Sequence, residues 1–176
     1  MQPMAKDTKS ANFADLYTAY ARDVYRFSLY LSGDAALAQD LTSETFLRVW
    51  ISEQAVQPSS VKAWLFVIAR NLYRHELRHI RRKLPLDETV APTASAAGDA
   101  ETREQLDRVC RSLAALPEVD RSAVLLRVEG VSYQEIAALL QISLAAAKVK
   151  VHRARLRLAR ENPEGIGHEY LEKRHT

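Results

Sequence analysis

The 176-residue sequence contains one cysteine, five glycines and no long uninterrupted hydrophobic run. A single thiol, Cys110, cannot form an internal disulfide, which excludes a disulfide-stapled secreted domain and favours a reducing compartment. Nowhere do about eighteen apolar residues follow one another without a charge, and residues 1–11 lack the hydrophobic segment of an export signal. We therefore expect a cytoplasmic protein without direct membrane insertion.

Signals for β-structure and for catalysis are equally scarce. The few glycines and the long apolar periodicities without β-branched alternation argue against sheets. No glycine-rich phosphate loop, no Ser-His-Asp order and no carboxylate pair in an apolar setting is present, so we expect no enzyme and no cofactor. Hydrophobic residues still make up 47% of the chain. We therefore predict an all-α protein with packed cores.

One motif with possible metal chemistry occurs at residues 75–79, which read His-Glu-Leu-Arg-His. This matches H-E-x-x-H, in which two histidines one turn apart bind zinc and the glutamate acts as general base. Here it lies in a run rich in arginine, which disfavours a dication, and no later helix offers an obvious third ligand. A zinc hydrolase is a rival that we do not favour, and no metal site is expected. Cys110 is expected to be inert core.

A helix-turn-helix pattern spans residues 130–160. Ser132 and Glu135 form a capping box that begins one helix, and Ser143 caps a second helix after a short turn. The second helix has a regular apolar face, formed by Leu144, Ala147, Val151, Ala154 and Leu158. Residues 143–160 also hold six Lys or Arg and no Asp or Glu. An all-positive face suits the major groove of DNA, whereas the alternative is a merely solvated helix.

Charge is unevenly distributed along the chain, whose formal net charge is +3. Residues 1–83 hold twelve basic and eight acidic residues, residues 143–160 are purely basic, and residues 84–104 hold one basic and five acidic residues. Two basic regions separated by an acidic segment suggest two contacts with one polyanion. The acidic segment contains prolines and has no periodic pattern of apolar residues, which is typical of a flexible tether. We predict two small helical domains, 12–83 and 103–160, with a flexible linker, 84–102, and a tail, 161–176.

Three helices are predicted in the first domain. The first begins at Asn12 and ends at Ser32-Gly33, the second is capped by Asp34 and runs over 35–51, and the third runs over 61–83. The second helix has an unusually wide apolar arc, to which Phe46, Leu47 and Trp50 contribute. Such residues are either core or a partner surface, here ringed by acidic side chains.

The third helix carries a basic stripe. Arg70, Arg74 and Arg78 follow one another at four-residue spacing, and the stripe continues into residues 81–83. Asn71 and aromatic side chains are interleaved with it. This combination fits phosphate contact together with reading or stacking of unpaired bases, and the alternative is a solvated helix end.

Three motifs in this order resemble those of bacterial sigma factors of the extracytoplasmic-function (ECF, group IV) type, in the sigma-70 family. They are residues 40–50, residues 63–71 and residues 116–155. The resemblance implies a dissociable subunit that binds core RNA polymerase and directs promoter recognition and transcription initiation. The rival is a helix-turn-helix regulator that does not bind core polymerase, which would need neither the 40–50 surface nor the Asn71 helix.

The resemblance also implies partners and site residues. The β′ clamp helices of the polymerase would bind Asp40, Leu41, Glu44, Phe46, Leu47 and Trp50. The −10 element would be opened and held by the loop 51–60 and by Arg70, Asn71, Arg74, Arg78 and Arg81. The −35 element would bind Lys148, Val149, Lys150, His152 and Arg153. The polymerase β flap and an anti-sigma factor are further implied partners.

The second domain departs from the family pattern in three places. Gln141 replaces the usual turn glycine, so this turn must reach a left-handed backbone angle at some cost. Residues 145–147 are three alanines in place of Gly-Thr-Val, and Ala147 fills less of the core than valine. Val149 replaces a common serine and is suited to contact a thymine methyl group. We expect these changes to alter promoter preference.

Overall fold

The computed structural model describes residues 4–52, 61–83 and 100–161. Within these ranges the chain forms helices and no strand, so the prediction of an all-α protein is confirmed. The helices are α1 (Met4–Ser32), α2 (Ala35–Ile51), α3 (Val61–Lys83), α4 (Ala100–Ala114), α5 (Glu118–Val128), α6 (Tyr133–Leu140) and α7 (Leu144–Glu161). None of the helices in the described ranges is both long and apolar enough to cross a bilayer.

Local capping signals set several helix ends as predicted. Helix α1 ends at Ser32, and Gly33 follows with a φ of 73°, which a glycine adopts without steric cost. The Asp34 carboxylate accepts a hydrogen bond from the Leu37 backbone N–H at 3.0 Å. The start of α1 was predicted wrongly, because Asn12 lies inside a helix that begins at Met4. No proline or glycine interrupts residues 4–11, so nothing local stops the helix there.

Helices α1, α2 and α3 pack around the core of the first domain. Its centre is an aromatic stack between Phe27 of α1 and Phe66 of α3, with ring centroids 4.5 Å apart. Leu31 and Leu65 beside it are completely buried. Burying a large apolar side chain contributes roughly 1.5–3 kcal/mol to stability, so these residues hold α3 firmly against α1.

Helices α5, α6 and α7 form the second core, with Ile136 and Val151 completely buried. Helix α4 contacts α1 of the first domain as well as α5 and α7 of the second. Helix α5 also contacts α1 and α3, so the two cores meet along α4 and α5. The predicted loop 52–60, linker 84–102 and tail 161–176 lie mostly outside the described residues. Residues 100–102 belong to α4, and residue 161 belongs to α7.

Candidate nucleic-acid and polymerase-binding surfaces

The helix-turn-helix has the predicted caps. The Ser132 hydroxyl accepts the Glu135 backbone N–H at 3.2 Å, and the Glu135 carboxylate accepts the Ser132 backbone N–H at 3.1 Å. The Ser143 hydroxyl accepts the Ala146 backbone N–H at 3.1 Å, which caps α7. Between the two helices, Gln141 adopts the left-handed conformation, with φ 56° and ψ 46°. The expectation that this turn needs a left-handed angle without a glycine is therefore confirmed.

Helix α7 presents most of the residues predicted to contact the −35 element. Lys148, Val149, His152 and Arg153 are exposed. Helix α7 packs onto α5 and α6, and four of the five predicted inner-face residues are buried. Leu144 in the first turn is 39% exposed, so the predicted inner face is wrong there. Lys150 differs because its ammonium group donates to the Asp120 carboxylate of α5 at 2.7 Å. Lys150 is half-buried, and its pairing with Asp120 anchors α7 to α5.

The predicted stripe on α3 is divided between two environments. Asn71, Arg74 and Arg78 are exposed, but Arg70 is only 4% exposed. Its guanidinium donates to both carboxylate oxygens of Glu118 at 2.8 and 3.1 Å. The description of one continuous exposed stripe is therefore wrong at Arg70. Residues four apart on a helix differ in direction by about 40°, so Arg70 and Arg78 differ by about 80°. Arg70 therefore faces α5, whereas Arg78 faces solvent. The side chain of Arg81 is not among those that the structure describes.

The apolar arc of α2 is also divided. Leu41 and Phe46 are core residues, exposed by 4% and 2%, so they are not available at the surface as the resemblance implied. Leu47 and Trp50 are exposed by 49% and 40%, and Asp40 and the half-buried Glu44 lie on the same helix. Phe46 is buried because the rings of α1 cover it.

Two exposed apolar residues extend this surface and were not predicted from the sequence. Ile51 at the end of α2 is 66% exposed, and Tyr17 of α1 is 48% exposed. The Tyr17 ring packs on Phe46 at 4.8 Å, and Phe13 bridges toward Trp50 at 5.0 Å. We call Tyr17, Leu47, Trp50 and Ile51 the α2 apolar surface. Tyr17 belongs to the apolar repeat of α1, which indicates that it faces α2. The repeat does not show that α2 leaves about half of the side chain exposed.

The H-E-x-x-H motif lies on the outside of α3. His75 and His79 are exposed, and the Nδ1 atom of His79 is 3.8 Å from the Glu76 carboxylate. Among the described residues, no group of three His, Cys, Asp or Glu is placed to hold a metal ion. Cys110 is buried in α4, and burial, with a smaller contribution from the charge of Asp107, raises the pKa of its thiol to about 11. Its predicted place in the core is confirmed.

Taken together, an exposed cationic helix-turn-helix and a second cationic helix define a helical protein of the DNA-binding class. Comparison with known families is more specific. Residues 16–83 match the family described as Sigma-70 region 2, and residues 106–158 match Sigma-70, region 4. The chain therefore belongs to the sigma-70 family and, within it, to the ECF sigma factors.

Individual relatives agree with this assignment. The chain is 32% identical over 162 residues to the ECF RNA polymerase sigma factor SigM of Bacillus subtilis, an alignment that covers 88% of this chain and 98% of the relative. It is 34% identical over 152 residues to the ECF RNA polymerase sigma factor SigE of Mycolicibacterium smegmatis. That alignment covers 82% of this chain but 59% of the longer relative.

A solved structure with the same fold is the sigma factor RpoE in complex with the anti-sigma factor NepR from Bartonella quintana. The TM-score is 0.72 at 25% sequence identity, and the match covers 88% of this chain and 98% of the other. The likeness extends over both helical domains.

Proposed function

We propose that this chain binds core RNA polymerase and directs it to promoters, with a separate surface for each contact. The observation that carries the proposal is the division of the exposed surface among three helices. Helix α2 exposes large apolar side chains next to acidic ones, α3 exposes cations, and α7 exposes cations together with Leu144, Val149 and Leu156. A regulator that binds duplex DNA alone would need α7 but would leave the α2 apolar surface unexplained.

The α2 apolar surface is proposed to bind the β′ clamp helices of the polymerase. Leu47 and Trp50 would insert into the partner, with Asp40 and Glu44 meeting basic groups around them, as at protein interfaces with an apolar centre and a polar rim. Leu41 and Phe46 contribute by supporting this surface from within the core. The domain 103–160 is proposed to contact the β flap.

The two cationic helices are proposed to contact the two promoter elements. On α3, Arg74 and Arg78 would bind phosphates, Asn71 would contact an unstacked base of the −10 element, and Arg81 would extend this contact. On α7, the residues proposed for the −35 element are Lys148, Val149, Lys150, His152 and Arg153. The exposed methyl groups of Val149 are suited to a thymine methyl in the major groove.

The remaining proposals concern domains, regulation and setting. We assign residues 12–83 and 103–160 to the two functional domains, joined by residues 84–102. An anti-sigma factor is a proposed partner, supported by the solved complex of the similar Bartonella protein with NepR. The protein is proposed to act in the cytoplasm, where polymerase and chromosome are, and to catalyse no reaction itself.

The direct test is in vitro transcription with sigma-free core polymerase on a pool of genomic promoter fragments. We expect new start sites only when this protein is added. Promoter binding without any polymerase binding or start site would instead establish the helix-turn-helix regulator.

Surface variants test the division of labour. Leu47→Ala with Trp50→Ala should abolish polymerase binding and keep DNA binding, whereas Lys148→Ala with Arg153→Ala should do the reverse. Val128→Ala and Arg108→Ala are matched controls, because both residues are exposed and lie outside the proposed surfaces. Loss of both functions in both sets of variants would refute separate surfaces.

A further inference from the structure

The second helix of the helix-turn-helix, α7, is joined to the first turn of α5 by an ion pair. The Lys150 ammonium donates to the Asp120 carboxylate at 2.7 Å, and the two side chains are 32% and 14% exposed. Salt screens a partly buried pair less than an exposed one. Asp120 also lies in the first turn of α5, where the helix dipole stabilises a carboxylate. The pair is therefore a durable contact between the two helices.

The carboxylate end of this contact is held rigidly. Asp120 is followed in α5 by an unbroken run of buried residues, 121–126, which fix this helix in the protein interior. A lysine side chain has a flexible four-carbon stem, and binding of its ammonium to a fixed carboxylate removes much of that freedom. Lys150 therefore connects α7 to a point whose position is set by α5.

The apolar anchoring of α7 is weaker in its first turns than in its later ones. Leu144 and Ala145 are exposed, and the first completely buried residue of the helix is the small Ala147. Larger buried residues, Val151 and Leu158, follow only later. Alanine forms a shallow ridge, which interlocks less with a neighbouring helix than a branched side chain does. In a helix-turn-helix these first turns enter the major groove, so their direction determines which bases are contacted.

Lys150 is placed to oppose rotation of this part of α7. Successive residues of a helix differ in direction by about 100°, so Lys148 and Lys150 lie on opposite flanks with Val149 between them. Val149 is 46% exposed, whereas the Lys150 side chain reaches α5. A rotation of α7 about its axis would change the direction of Val149 and would also pull Lys150 away from Asp120. The ion pair therefore stabilises one orientation of the DNA-facing side chains.

Pairing also changes what Lys150 contributes to DNA binding. A lysine that binds a phosphate releases a counterion, which makes affinity strongly dependent on salt and carries no information about base sequence. The Lys150 ammonium is already neutralised by Asp120. A phosphate near Lys150 would therefore add little to this nonspecific part of the affinity. Lys148 and Arg153, which are both exposed, supply it instead.

We propose that Asp120 is a specificity-determining residue of the −35 contact, although it belongs to α5. It acts as a positioning residue. Through Lys150 it fixes the orientation of α7 and keeps a flexible cation from binding any phosphate within reach. Base preference then depends on Val149 and His152, which are exposed on a helix of fixed orientation. The inference rests on the proposed contact of α7 with the −35 element.

The test measures affinity and base preference in one experiment. The full-length protein is equilibrated with a pool of short duplexes of random sequence at several salt concentrations, and the bound fraction is sequenced. Binding to the whole pool gives the slope of log affinity against log salt, and sequencing gives the base preference. The test variant is Asp120→Asn, which removes the charge and keeps the side-chain size. The control, Glu104→Gln, removes the same charge from an exposed ion pair with Arg108 on α4.

We expect Asp120→Asn to steepen the salt slope by about 0.9, the value for one additional phosphate contact, because Lys150 is released. The base preference of the bound fraction should fall by about threefold, which is less than the loss of one full base contact. The control should change neither quantity. Asp120→Glu keeps the carboxylate and should retain most of the preference.

A double variant shows whether Asp120 acts through Lys150. Asp120→Asn combined with Lys150→Met leaves no cation to be released, so the salt slope should return to the wild-type value. The base preference should stay low, because the contact between α5 and α7 is still missing. A slope that stays steep in the double variant would refute action through Lys150.

Other outcomes would also overturn the proposal. If Asp120→Asn lowers the melting temperature but changes neither slope nor preference, the pair only stabilises the fold. If the slope steepens while the preference is kept, the pair does not orient α7. A wild type without base preference would refute the −35 contact as well, so failure of the inference alone and failure of the proposed function are distinguishable.

A measurement on the wild type keeps the test independent of variant folding. An amine-reactive reagent followed by mass spectrometry compares the labelling rates of Lys148 and Lys150. Because Asp120 holds the Lys150 ammonium, we expect Lys150 to be labelled more slowly than Lys148, which is exposed on the same helix. Equal labelling rates would show that Lys150 is not held in solution and would refute the proposal.

Discussion

The two cationic helices of this protein, α3 and α7, have similar charge patterns but different surroundings. On α7 the proposed DNA-binding cations face outward, and a single one, Lys150, is anchored by its own domain. On α3 the first arginine of the series is buried against a carboxylate of the other domain. The inner faces differ too, since α3 buries Phe66 and α7 buries Ala147 at comparable depth. A periodic charge pattern thus defines a helix face, and the neighbouring elements decide how much of it reaches solvent.

The largest expected effect tests the inner face of α3. Phe66→Ala removes one ring of the buried stack with Phe27 and should lower the free energy of unfolding by about 3–5 kcal/mol. Urea denaturation monitored by circular dichroism measures it. Leu47→Ala, at a half-exposed position, is the control and should change stability by less than about 0.5 kcal/mol. A similar decrease in the free energy of unfolding in both variants would mean that the stack of Phe27 and Phe66 does not hold α3 against α1.

The second prediction separates two arginines of one series. Arg70→Ala leaves Glu118 without its buried partner and should destabilise the protein by about 2–3 kcal/mol. Arg78→Ala removes an exposed charge and should cost less than about 0.5 kcal/mol. Thermal unfolding of the two variants gives the difference. Equal melting temperatures would indicate that Arg70 is solvated in solution and that the domains are apart.

The third prediction concerns the inner face of α7. Ala147→Val restores the larger residue usual at this position but adds two methyl groups where Ala147 is already fully buried. Overpacking of this kind should cost about 1–3 kcal/mol. Ala145→Val is the matched control, because Ala145 lies two residues earlier in the same helix and is exposed. If Ala147→Val were instead stabilising in urea denaturation, α7 would have unfilled space beneath it.

The smallest effect is expected in the turn between α6 and α7. Gln141 is the sole non-glycine residue with positive φ among the described residues, so Gln141→Gly should stabilise the domain by up to about 1 kcal/mol. Gly130 offers the reverse substitution, since its φ is 88° and a Cβ there would meet no atom within 4 Å. Gly130→Ala should therefore cost about 1 kcal/mol through backbone strain alone. Melting temperatures that fail to move in opposite directions would argue against backbone strain.

Features that depend on neighbours in sequence were predictable. The end of α1 at Gly33, the Asp34 cap and the capping box of α6 each involve groups within four residues, so short-range chemistry determines them. The same holds for the inner face of α7 from Ala147 onward, which follows from helical periodicity, and for the left-handed angle at Gln141. Leu144 has the right spacing for that face but is exposed in the first turn of α7. The start of α1 failed as a prediction because a favourable cap residue does not stop a helix whose preceding residues are also helical.

Tertiary structure decided which members of each predicted set are exposed. The sequence by itself determined the all-α class, the two sigma-70 regions and the cationic character of α3 and α7, since these follow from composition, period and motif. It did not determine that Phe46 is covered by α1 while Leu47 is exposed, or that Arg70 meets Glu118. Those outcomes depend on pairs of residues far apart in the chain, whose approach is set by how whole helices pack and not by local sequence.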